Sequence, residues 1–79
     1  MIITLETKSG SIYKVCEREG KVFISKGASF EAEITRLKRP IKMGEVLEAE
    51  LRKYDMYLRP HTEPSYIKTT QIVALEITI

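Results

Sequence analysis

Asparagine is absent from this chain of 79 residues, and glutamine, cysteine and histidine occur once each, as Gln71, Cys16 and His61. A lone cysteine has no partner within the chain, so no disulfide framework stands behind the fold. It points instead to a reducing compartment, and a cytoplasmic location is expected. No apolar run approaches the roughly 18–20 residues that span a bilayer. The opening segment Ile2–Thr7 is too short and too polar for a signal peptide. A soluble protein without a membrane partner is the expectation.

Other absences narrow the chemistry. The glycines stand singly, never as the clustered turn before a helix that cradles a nucleotide phosphate. His61, Cys16, Asp55 and Glu63 show none of the paired short spacings of a zinc site. Cys16 closes an alternating segment and reads as a buried structural thiol rather than a nucleophile. Glu17 and Glu19 flank a turn, and a chain of 79 residues offers little cleft in which two carboxylates could converge. No enzyme and no cofactor are expected. Repeats, low-complexity stretches and linkers are missing as well, so residues 1–79 read as one small domain.

Thirteen basic residues against eleven acidic leave a formal charge of +2, a mild excess that implies no partner by itself. Charge carried by Lys, Arg and Glu, with amides depleted, matches a thermophile tendency. A chain this short buries only about 60–65% of the surface that its unfolded form exposes. A very regular core or oligomerisation must then supply stability.

The residues present spell out hairpins. Ile3 and Leu5 alternate with Thr4 and Glu6, the period of a half-buried strand. Lys8-Ser9-Gly10 turns the chain into Ile12–Cys16, and Glu17–Gly20 turns it again into Lys21–Ser25. Two later segments carry two periods at once. Phe30, Ala32 and Ile34 alternate, yet Phe30, Ile34 and Leu37 also suit a helix capped by Ser29. Leu47, Ala49 and Leu51 alternate, yet Leu47, Leu51, Tyr54 and Leu58 share a helical stripe. The bracketing Lys38-Arg39-Pro40 and Met43-Gly44 favour a strand after a short connection. From Arg59 to Ser65, two prolines predict a loop. At the end Val73, Leu75, Ile77 and Ile79 alternate with Ala74, Glu76 and Thr78. That apolar strand must pair, either with Ile3–Thr7 or across a dimer. The expectation is all-β: a small antiparallel five- or six-stranded barrel, SH3-like in general architecture. The alternative is α+β, a β-meander plus one helix near 45–58.

Arg36, Lys38, Arg39 and Lys42 place four cations within seven residues, with no acid among them. On a loop they form a positive patch suited to phosphates. Arg52, Lys53 and Arg59 extend it, with Tyr54 and Tyr57 between them as base-stacking surfaces. Against this stands the plain reading of a solvated loop, because Glu45, Glu48 and Glu50 follow directly and repel a polyanion if they share its face. The expected function is a non-catalytic module binding DNA or RNA through this basic loop. The alternative is a protein-interaction or oligomerisation module that pairs through Val73–Ile79.

The stretch Tyr66-Ile67-Lys68-Thr69-Thr70-Gln71-Ile72-Val73-Ala74-Leu75 resembles the end of Sm-like and other SH3-like barrels. There an apolar residue, a short polar break and an Ile-Val pair precede the final strand. The resemblance implies a barrel. Sm-like proteins carry an Arg-Gly pair for RNA in that break, where this chain has Lys68 and Thr69. The earlier Asp/Asn signature is also missing, so no RNA-binding residues carry over.

Overall fold

A computed structural model describes residues 1–53 and 65–79 of the chain. Six strands run in order: β1 (Ile2–Thr7), β2 (Ile12–Arg18), β3 (Lys21–Lys26), β4 (Phe30–Leu37), β5 (Val46–Arg52) and β6 (Ser65–Thr78). Each pairs antiparallel with the next, and β6 returns to β1 to close a barrel. The first two hairpins lie where the glycines place them. Between Arg18 and Lys21, which face each other, the turn is the pair Glu19-Gly20, both at positive φ (53° and 77°). Two such residues in succession make the type I′ turn whose twist matches that of the strands. Glycine adopts that geometry freely, whereas Glu19 adopts it under strain.

Inside the barrel, period-two alternation delivers one row from each strand. Leu5, Val15, Ile24, Ala32, Ile34, Leu47, Ala49, Leu51 and Ile72 form the buried core. The register stacks them: Val15 lies opposite Ile24, Ile24 opposite Ala32, and Ile34 opposite Leu51. Ile41 packs against this core from the β4–β5 connection. That connection is fastened to β6, because the Gly44 N–H donates to the Ile72 carbonyl (2.9 Å) and the Ile72 N–H to that of Glu45 (2.8 Å). Among the described residues Thr7 is the buried polar side chain, and its hydroxyl meets Ser9 Oγ at 3.1 Å.

Both ambiguous segments are strands. Phe30–Leu37 pairs with β3 and β5, and Val46–Arg52 pairs with β4 and β6. The helix alternative is therefore overturned over 46–52: Leu47, Ala49 and Leu51 all point inward, which only a two-residue period allows. Residues 54–58 of that alternative, and Arg59–Pro64 of the expected loop, lie outside the described residues. Ser65, expected in the loop, is the first residue of β6.

The last strand departs most from its sequence pattern. β6 is one strand of 14 residues, joined to β5 over its first half and to β1 over its second. The first-strand partner is thus supplied by the same chain. An extra residue, Val73, interrupts the pairing with β1, since Glu6 faces Ala74 and Thr7 faces Ile72. Ile72 rather than Val73 consequently enters the core. A second irregularity near Thr69 is filled by its hydroxyl, which accepts from the Leu47 N–H (3.0 Å) and donates to the Thr70 carbonyl (2.7 Å). Such bulges let a short barrel bend and close. Cys16 is half-buried, not buried as expected, because Val15 takes the inward position and Cys16 faces Ile2 and Phe23. Among the described residues, no helix is long and apolar enough to cross a membrane.

Candidate nucleic-acid interface

Two clusters of cations lie on this barrel, and they are held by different neighbours. The first is the one legible in the sequence. Arg36 lies opposite Glu50, one residue before the end of β4, and Lys38, Arg39 and Lys42 belong to the β4–β5 connection. The acids that follow in sequence fold back onto them. Lys38 Nζ lies 3.1 Å from Glu50 Oε1. Arg39 donates from Nε to Glu48 Oε1 at 3.0 Å, with Nη1 3.8 Å from Glu45 Oε2. The Tyr66 hydroxyl donates to the other oxygen of Glu48. Three carboxylates thus stand against four cations, and only Arg36 and Lys42 carry no ion pair among the described residues.

Glu48 is the hub of this network. The Tyr66 hydrogen bond holds its carboxyl below the usual 4.5, opposed by burial and helped by the Arg39 hydrogen bond and by the charges of Lys68 and Arg39. Tyr66 is raised above 10.0 by the same hydrogen bond, by burial and by the charge of Glu48. Each partner stabilises the protonation state that the other needs.

The second cluster lies at one mouth of the barrel. Tyr13, Lys26, Phe30, Leu51, Lys53, Ser65, Tyr66 and Ile67 line a cavity of about 180 Å³. Lys26 faces Phe30 across the β3–β4 hairpin, and its Nζ sits 5.9 Å from the centroid of the Tyr13 ring. Lys53 follows β5 and holds its Nζ 5.3 Å from the centroid of Phe30. Neither distance leaves the reach of a cation–π contact, worth about 0.5–1 kcal/mol at an exposed site. Among the described residues, no carboxylate lines this cavity.

Of the residues singled out in the sequence, Lys53 alone belongs to the mouth, while Arg36, Lys38, Arg39 and Lys42 make the first cluster. Arg52 lies apart from both, opposite Glu33 on β4. Tyr54, Tyr57 and Arg59 fall outside the described residues. Tyr13, Lys26 and Phe30 were not legible as site residues. The hairpin glycine Gly27 was the available signal, since a turn there sets Lys26 against Phe30. Among the described residues, no group of three or more His, Cys, Asp or Glu is placed to hold a metal ion. Compared with protein-family models, with curated proteins and with solved structures, the chain finds no match in any of the three.

Proposed function

We propose that this barrel is a non-catalytic module that binds single-stranded nucleic acid at the mouth lined by Tyr13, Lys26, Phe30 and Lys53. The observation that supports the reading is the pairing of two ammonium groups with two aromatic rings around a cavity that, among the described residues, no carboxylate lines. A phosphate drawn to Lys26 and Lys53 exchanges a weak ring contact for a charge-assisted one. As the ammonium groups leave, the faces of Tyr13 and Phe30 open to a base, and stacking on such a ring is worth about 1–3 kcal/mol. The cavity of about 180 Å³ suits one such ring; an engineered cavity of about 150 Å³ accepts benzene. Duplex ends and grooves do not present an unstacked base, so the single strand is the matching form.

The basic loop plays the smaller part. Lys38 and Arg39 already face carboxylates, which leaves Arg36 and Lys42 to contact the flanking phosphates.

Fluorescence anisotropy tests the reading, with labelled single-stranded RNA and DNA oligonucleotides and their duplexes as probes. Single strands are expected to bind more tightly than duplexes. Replacing Lys26 and Lys53 together is expected to reduce the salt slope by about 1.4, two phosphate contacts at roughly 0.7 each. Equal affinity for duplex, or a slope untouched by the double variant, sinks it.

A further inference from the structure

Barrel closure leaves half of the last strand with one neighbour. β6 pairs with β5 only as far as Gln71, and the β4–β5 connection takes up Ile72 through two backbone hydrogen bonds. From Val73 to Thr78 one side of the strand is joined to β1, and among the described residues no strand lies on the other. An antiparallel strand aims its N–H and C=O groups alternately to its two sides. Part of this backbone is therefore offered outward.

Large apolar side chains along the same stretch are uncovered. Val73 is 48% exposed, Ile77 55% and Ile79 fully so. Leu75 faces Leu5 and Ile77 faces Ile3, so the row continues the inner lining of the barrel past Val46, the first residue of β5. Natural edges are commonly protected by lysine or proline. Between Val73 and Ile79 there is neither, and the only charge is Glu76.

We propose that this edge is covered by a second copy of the chain, with Val73–Thr78 of the two protomers antiparallel about a two-fold axis through Leu75. In that register Leu75 faces its own counterpart, Val73 faces Ile77 twice, and Glu76 faces Ala74. Neighbouring registers fail for stated reasons. A slip by one residue of pairing sets the apolar row of one copy against the polar row of the other. Centring on Glu76 opposes two like charges. Centring on Ala74 brings Glu76 against Ile72, whose outer side the β4–β5 connection already holds. The interface is isologous, as a two-fold axis demands, and it is independent of the mouth.

Sedimentation velocity from micromolar to millimolar protein tests it, alongside disulfide trapping with Cys16 replaced by serine. The wild type is expected to sediment as a dimer at the upper end, and Ile77→Lys as a monomer with an unchanged circular dichroism spectrum. Val73→Cys combined with Ile77→Cys is expected to cross-link two protomers on oxidation, while Glu76→Cys alone is not. Should Ile77→Lys fail to fold, the trapping pattern decides. A wild type monomeric throughout overturns the proposal, as does a dimer that traps through Glu76→Cys and not through the 73/77 pair.

Discussion

The basic loop and the barrel mouth each gather lysines or arginines, but one sets them against carboxylates and the other against rings. In the loop, Lys38 and Arg39 meet Glu50, Glu48 and Glu45. At the mouth, Lys26 and Lys53 rest over Tyr13 and Phe30. A carboxylate cancels the field that a polyanion would feel, whereas a ring face leaves the positive charge uncancelled. The number of cations in a segment is therefore a poor guide to the charge that it presents. Among the described residues, the mouth sets its two against no carboxylate, while the loop sets its four against three.

The sharpest way to break this comparison is to reverse charge at each place in turn. Lys26→Glu with Lys53→Glu is expected to lower affinity for a single-stranded oligonucleotide by more than about tenfold. Lys38→Glu with Arg39→Glu is expected to change it by less than about threefold, since exposed pairs of this kind are worth about 0–1 kcal/mol. Anisotropy titrations at one salt concentration measure both, and equal losses would erase the distinction.

Next in size is the ring. Phe30→Leu keeps an apolar side chain against the core but removes the stacking face, and a loss of at least about fivefold in affinity follows from the usual worth of a stacked base. A thermal melt alongside separates this from unfolding. If Phe30→Leu binds as the wild type does, the base does not sit on that ring.

The loop network has its own signature in pH. Glu48 is held below 4.5, so its contribution to stability is complete above that value and is lost as pH falls through the lowered folded-state pKa. Tyr66 is held above 10.0, so its contribution is complete below that value and is lost as pH rises through the raised one. Urea titrations across pH should show a plateau between the two limbs, and Tyr66→Phe should flatten both. Tyr66 also lines the mouth, but Lys26 has no part in that pair, and Lys26→Gln should leave the profile as it is.

The smallest effect serves as a control remote from both sites. Glu19→Asn relieves a residue in left-handed geometry and should raise stability by about 0.5–1 kcal/mol, with nucleic-acid affinity unchanged. A rise in affinity with stability would show that binding reports foldedness rather than the mouth.

Much of the barrel could be read from local pattern. Gly10 and Gly20 mark turns that the structure contains, and alternation about Leu5 names the inward face of the first strand. Leu47, Ala49 and Leu51 carried two periods, and the choice between them rests on partners in β4 and β6 that are remote in sequence. The bulge at Val73 was hidden for a related reason: alternation through Val73, Leu75 and Ile77 is regular, and only the stagger between β1 and β6 reveals that Ile72 belongs inside. Of the candidate site, the loop cations were visible because they are adjacent. The mouth was not, because Tyr13, Phe30 and Lys53 come from three strands or their ends. The neutralising acids were visible too, as the run from Glu45 to Glu50, and the fold places them on the cations they follow.

The seam between β1 and β6 also governs how the molecule is made. Its pairings join Ile2 to Thr78 and Ile3 to Ile77, nearly the whole chain apart. Such closures are slow, because the entropy of a long loop is lost before any contact rewards it. On the ribosome, the first five strands emerge as an open sheet whose lining waits uncovered for the last one. The rate of barrel formation is then set by the final strand, and a chaperone that shields Leu5 and Leu47 until it arrives would act at the step where this protein is most exposed to aggregation.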